Sequence, residues 1–191
     1  MKVTAVLCAL LAGSLSAAHA ADIRVLVKEN SVKDEGAIVL VKGFISKGDD
    51  TVFERKIAGI NRAIVFLEGP GGSVQTAIDI GKIIRQYGFN TAAADRATCA
   101  SSCALAWLGG IVRYAGDKTR IGFHSTAVSA FRKERSDFGN AMVRDYLERL
   151  GYSDAVFKYV TKASPASLTV PTPEDDQRYI GSLPLPRRQG D

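Results

Sequence analysis

The stretch "AIVFLEGPGGSVQTAIDIGKIIRQYG", residues 63–88, constrains the fold more than any other. Its first six residues are a nearly continuous apolar run, as expected of a strand buried on both faces, and such strands belong to parallel sheets. The glycine-rich segment Gly69-Pro70-Gly71-Gly72 follows at once and reads as a turn. Ser73 is then a good N-cap and Gly88 a good helix end. Between them Val74, Ala77, Ile78, Gly81 and Ile84 keep helical spacing. A strand that turns directly into an amphipathic helix is half of a β-α-β unit, and its next strand pairs in parallel.

The same alternation continues toward the C-terminus. "FNTAAA" predicts a strand, "SCALAWLGG" a short buried helix, and "IVRYA" and "RIGFH" two more strands. "SDFGNAMVRDYLERLG" predicts a helix in which Phe138, Met142, Tyr146 and Leu150 fall four apart, and "SDAVFKYVTK" predicts another. Upstream, "DIRVLV" and "GAIVLVKGFI" read as strands, with a helix over "DDTVFERKIAGI". The expected class is α/β with parallel strands. Residues 21–191 are expected to form one domain, without repeat or linker.

The first twenty residues stand apart. "MKVTAVLCALLAGSLSAAHA" carries one lysine, a short apolar run and the small-residue ending Ala18-His19-Ala20, the pattern of a secretory signal peptide cleaved after Ala20. The apolar run is too short to span a bilayer, and no later segment approaches the length required. The expected product is a secreted, periplasmic chain with no stable membrane anchor once the leader is gone. Its cysteines would then be Cys99 and Cys103, and its one imidazole His124. The formal net charge of +5 is spread along the chain. No basic run carries interleaved aromatics, so no nucleic-acid partner is expected. Two cysteines and one histidine make a poor zinc set, and neither a metal nor another cofactor is expected.

The chemistry is concentrated at strand ends, where α/β sheets gather their ligands. "ATCASSCALAWLGG", residues 97–110, places two serines between two cysteines at the start of a helix. A hydroxyl there, with convergent backbone N–H groups, can attack a carbonyl and hold the resulting oxyanion. His124, at the end of "RIGFH", stands where a general base would come from.

Five segments now occur in a recognisable order. "FLEGPGGSVQTAIDIGKII", "CASSCALAWLGG", "RYAGDKTRIGFHS", "NAMVRDYLERLGYSDAVFKYVTK" and "TPEDDQRYIG" resemble, in turn, five elements of the Clp protease proteolytic subunit. These are its Pro-Gly-Gly segment and helix, its nucleophile turn, its histidine-bearing segment, its two-helix handle and its closing helix. From about residue 36 to 183 the chain resembles that subunit and the wider ClpP/crotonase fold, nearest the secreted, poorly characterised branch. The resemblance implies stacked β-α-β units, a mostly parallel sheet and a helical handle. It implies Ser101 as nucleophile, because Ala100, Ala104 and Gly110 then fall on family positions, whereas choosing Ser102 shifts all three. It implies His124 as base, with backbone N–H groups of Gly71 and Ser102 as the oxyanion hole.

The pattern departs from the family at the third member. An Asp is expected before the closing helix to orient the imidazole, and here "KASPASLTVPTPEDD" offers Ser164 or Ser167 nearest that place. Asp175 and Asp176 come later, within the expected closing helix. Losing such a carboxylate costs about 10⁴ in rate in a trypsin-type protease. The expectation is therefore a secreted, ATP-independent serine hydrolase acting on peptide or protein, with a Ser-His dyad or an incomplete triad and no ATPase partner. The alternative is a catalytically dead binding or assembly module. Crotonase-like acyl-thioester chemistry is a weaker third reading, since it needs no Ser-His pair and acyl-CoA is not expected outside the cytoplasm. The cysteines leave two readings open. One is a disulfide, which needs Cys99 in the turn because Cβ atoms at i, i+4 of a helix are about 5–6 Å apart. The other is a pair of buried thiols. A homo-oligomer is expected through the handle, where Val156, Phe157 and Val160 add to the apolar face of the preceding helix.

Overall fold

The computed structural model describes residues 20–26, 36–129 and 131–185. Of the expected leader only Ala20 lies within them. Strand β1 (Asp22–Leu26) pairs antiparallel with β2 (Ala37–Ile45). Helix α1 (Asp49–Ile57) leads to β3 (Ala63–Gly72), parallel to β2. Helix α2 (Val74–Gln86) then leads to β4 (Asn90–Ala93), parallel to β3, as the strand-helix pattern requires. Beyond β4 lie β6 (Arg113–Ala115) and the two-residue β8 (Leu183–Pro184), both parallel, so the main path runs β1-β2-β3-β4-β6-β8.

A second, short ladder branches from β3. Strand β5 (Thr98–Ala100) pairs with β3 at Gly69↔Cys99 and with β7 (Arg120–Gly122) over all three of its residues, in parallel. Strand β5 was not among the expected strands. Nor is Gly69–Gly72 a turn. It continues β3, with Gly71 opposite Phe44 and Gly72 opposite Ile45 after an irregularity in β2 between Lys42 and Phe44. Strand β3 thus belongs to both ladders, its first half with β4 and its glycine end with β5.

Helix α2 starts and stops where its sequence says. The Ser73 hydroxyl accepts from Thr76 N, and Gly88 adopts φ 67° just past the end. It packs against α1, against α3 (Ser102–Trp107) and against α4 (Asp137–Arg149). The core between helices and sheet holds Val39, Val65, Leu67, Phe53, Ile80, Ile84 and Trp107, all buried. Each such side chain contributes about 1.5–3 kcal/mol on burial. Helix α5 (Asp154–Val160) follows α4, and a final turn, α6 (Pro173–Asp175), opens on a Thr172 capping box and widens into a π turn over Asp176–Ile180.

The handle differs from its expectation. Its apolar stripe does not face solvent but packs on the domain's own core. Tyr146 is fully buried and its hydroxyl donates to Leu105 O at 2.9 Å in α3. Burial pushes the phenol up, well above its usual range. Met142, Leu150 and Phe157 pack against the core from its edge, and Val156 and Val160 are buried. Phe138 alone of the α4 stripe stays exposed. An amphipathic stripe shows which face is apolar, not which surface covers it. The residues named for self-association are therefore mostly those that hold α4 and α5 to the domain.

The closest fit in this packing is between α2 and α4. A Cβ built on Gly81 would lie 1.9 Å from the Tyr146 hydroxyl oxygen. Alanine ordinarily gains about 1 kcal/mol over glycine inside a helix, but Gly81→Ala should instead destabilise the protein by about 1–3 kcal/mol through overpacking. Tyr146→Phe should cost about 1–2 kcal/mol, leaving the Leu105 carbonyl unbonded. Combined, the two losses should fall short of their sum, because the phenylalanine removes the atom that the new methyl strikes. Urea unfolding of the four proteins measures this coupling.

Candidate active site

The β5–β7 ladder fixes the positions of the two candidate side chains, Ser101 and His124. Its register pairs Thr98 with Arg120, Cys99 with Ile121 and Ala100 with Gly122. Ser101 leaves the carboxyl end of one strand, and His124 follows the carboxyl end of its neighbour. The Ser101 N–H donates to Gly122 O at 2.7 Å and the Ser101 carbonyl accepts from Leu105 N at 3.2 Å, so the turn is held from both sides. Ser101 adopts φ 57° and ψ −124°, a sharp strand-to-helix turn that costs a non-glycine residue about 1–3 kcal/mol. Such a turn lifts the side chain out of the sheet. Ser101 is half-buried, with its side chain on an open groove.

A disulfide closes the chain around that turn. Cys99 of β5 is joined to Cys103 of α3, with 5.2 Å between their Cα atoms. The bridge forms because Cys99 lies in a strand and only Cys103 in the helix. Both cysteines are fully buried. Closing so short a loop restricts the unfolded chain by about 2 kcal/mol on the loop-entropy model, which is of the same order as the cost of the Ser101 conformation.

The two serines have different surroundings. The Ser102 side chain is buried, and its hydroxyl donates to Gly72 O at 2.9 Å. Ser102 thus ties α3 to the end of β3, while Ser101 keeps its hydroxyl on the groove. Gly71 approaches both. A Cβ built on Gly71 would lie 2.8 Å from Ser101 Cβ and 2.9 Å from Ser102 N, and Gly71 itself has φ 106°. Only glycine fits there. Gly71 and the first N–H of α3, which has no partner within its own helix, are thereby brought beside Ser101.

His124 is half-buried between two anchors. Phe123 exchanges backbone hydrogen bonds with Thr169, and Ser125 N and Oγ both donate to Ala163 O. The His124 Nδ1 atom lies 2.6 Å from the Ser125 carbonyl oxygen. A carbonyl only accepts, so Nδ1 carries the proton and Nε2 of the neutral ring holds the lone pair. Neither serine weighed as third member has this role. Ser164 and Ser167 are exposed, and their hydroxyls meet each other at 3.2 Å. Asp175 Oδ2 accepts from Thr172 N at 3.3 Å while Asp175 N donates to Thr172 Oγ1. Hydrogen bonding with Thr172 holds the Asp175 carboxyl below the usual range, and Asp175 is not among the residues that line the groove.

The groove has a volume of about 460 Å³. Ser101, His124, Phe44, Val74, Leu105 and Val128 supply much of its wall. Part of that wall is a hairpin that leaves directly from the histidine segment: Ala127 bridges to Arg135, and Val128 N donates to Glu134 O. The hairpin brings Lys133 to the rim. No acidic residue is among the described lining residues. Ser101 and His124 share the groove without a hydrogen bond between them; such contacts are commonly long before substrate arrives and tighten in the complex. Among the described residues no cluster of three or more metal-ligating side chains occurs.

Two features escaped the sequence. The Ser125 carbonyl has no signature, because every residue has one. Lys133 is one charge within the run "FRKERSD", and only the hairpin geometry brings it to the groove.

The architecture is shared with solved proteases. One is 1510-N membrane-bound stomatin-specific protease in a serine-to-alanine mutant, with a TM-score of 0.60 and 18% identity over 78% of this chain and 78% of that chain. Another is a lysine-to-alanine mutant of the same protease in complex with a substrate peptide, with a TM-score of 0.60 and 19% identity over 78% of this chain and 74% of that one. At these identities the likeness shows the fold, which is the ClpP/crotonase-like one. No protein-family model matches the chain. No curated protein matches it either.

The different surroundings of the serines predict different stabilities. Ser102→Ala removes the donor to the Gly72 carbonyl and should cost about 1–3 kcal/mol in denaturant unfolding. Ser101→Ala should leave the unfolding midpoint nearly unchanged, since no hydrogen bond to its hydroxyl is made within the described residues.

Proposed function

We propose that this protein is a secreted, ATP-independent serine peptidase in which Ser101 is the nucleophile and His124 the general base. The observation that carries the reading is the 2.6 Å contact between His124 Nδ1 and the Ser125 carbonyl oxygen: a carbonyl only accepts, which assigns the proton to Nδ1 and leaves Nε2 as the nitrogen able to take one. The fold shared with proteases, one of them described in complex with a substrate peptide, supports a peptide substrate.

The mechanism follows from the groove. Ser101 Oγ attacks the scissile carbonyl carbon as its proton passes to His124 Nε2. The carbonyl oxygen becomes an oxyanion beside Gly71 and Ser102, whose N–H groups would stabilise it. The imidazolium returns its proton to the departing amine, leaving an acyl-enzyme on Ser101. Water then attacks that ester, again deprotonated by His124. The Ser125 carbonyl orients the ring, but it carries no full negative charge as a carboxylate would. Turnover should therefore be slow compared with enzymes that hold an Asp at this place.

The reading is tested with a fluorophosphonate probe, which reports an activated serine directly. Labelling should map to Ser101 and vanish in Ser101→Ala. It should fall by about 10²-fold or more in His124→Ala, within the range for loss of a general base, and survive in Ser102→Ala. Loss in Lys133→Ala with retention in His124→Ala would move the base to the lysine. An unlabelled but folded wild-type protein would favour the binding-module alternative.

A further inference from the structure

Outside the lining of the groove, Asp49 is buried to 3% exposure at the first position of α1. A carboxylate so buried is ordinarily paired with a cation. Among the described residues no ion pair reaches it, and two backbone amides do: Ser46 N at 2.7 Å and Ala21 N at 3.0 Å, both to Oδ2. The first contact is a local cap of the β2–α1 turn, of the kind the helix dipole favours. The second comes from 28 residues away. The β1–β2 ladder delivers it, because Asp22 pairs with Lys42 and so sets Ala21 beside Gly43.

We propose that Asp49 is the receptor for the α-ammonium group of a chain beginning at Ala21. This rests on the reading that the leader is removed before that residue. While residue 20 precedes it, the Ala21 nitrogen is a neutral amide. Hydrolysis of the Ala20–Ala21 bond gives the water's hydroxyl to the Ala20 carbonyl and its proton to the nitrogen, which then protonates to an ammonium in neutral solution. The same atom, still 3.0 Å from Oδ2, becomes the missing cation. The amide contact becomes a charge-assisted one, and Ala21 is partly buried against the core, so water screens the pair weakly. Processing would thus complete the fold at β1.

The test compares full-length mature chains released by a site-specific protease. One begins at Ala21, and one carries a single added glycine before it, which keeps the amide and moves the charge about 3.8 Å along the chain. Both are also made with Asp49→Asn. The Ala21-first chain should melt higher than the glycine-extended one, and Asp49→Asn should abolish the difference. The α-amine of the Ala21-first chain should also acylate roughly tenfold more slowly at neutral pH, as expected of an amine held protonated by one further pKa unit. Equal melting and equal acylation of the two Asp49 chains overturn the proposal, and this comparison stands even where Asp49→Asn fails to fold. N-terminal sequencing of the exported protein tests the leader separately. A start other than Ala21 refutes the cleavage reading and with it the proposal's use in the cell, whatever the engineered chains show of the docking itself.

Discussion

The structure depends on how closely three backbones approach one another at the end of β3. A Cβ on Gly69 would lie 2.1 Å from Gly43 O, and one on Gly72 would lie 2.1 Å from Ile45 O. A Cβ on Gly71 would strike Ser101. Side chains at these positions would push β2, β3 and the β5–α3 turn apart. Glycine lets one strand serve two ladders at once, and the groove lies where the ladders diverge. Ser101, the end of β2 at Phe44 and the cap of α2 at Ser73 are therefore held against one another.

The helices behind this junction support it from below. Helix α3 is buried along its whole length and carries Ser102 to the Gly72 carbonyl. Tyr146 and Tyr152 hold α3 in turn, donating to the carbonyls of Leu105 and Leu108. Arg85 and Arg113 bond the carbonyls of Gly109 and Gly110 just past its end. The last turn of α3 thus finds partners for carbonyls that the helix itself cannot satisfy. The handle helices act as a brace for the Ser101 turn rather than as a free surface.

Much of this could be read from the sequence, and the failures have physical causes. Helix α2 was legible to within a residue because Ser73 and Gly88 mark its ends and its apolar face repeats cleanly. The parallel pairing of β3 with β4 followed from a buried apolar run joined to the next strand by a helix. Strand β5 was not legible, because three residues, Thr98-Cys99-Ala100, are too short to show a period. Gly69–Gly72 misled for a different reason. Glycine marks turns and close approaches alike, and sequence does not say which. Cys99 and Cys103 could not be assigned by spacing, since four residues apart suits a helix face as well as a strand-to-helix corner. Ser101 and His124 were singled out because a hydroxyl and an imidazole at strand ends are distinctive, and the structure places both on one groove. The partner of His124 was not, because a backbone carbonyl leaves no trace in composition.

The ring closed by Cys99 and Cys103 makes the shape of the turn a matter of chemical history as well as of sequence. A chain kept in reducing solution can form both ladders through pairing alone, yet it encloses Ser101 only after two thiols have given up two electrons. Once made, the bond lies out of reach of solvent, so the ring records the conditions under which the chain folded and not those it meets afterwards. Two samples of identical sequence, folded with and without an oxidant, would differ at the turn that presents the Ser101 hydroxyl to the groove.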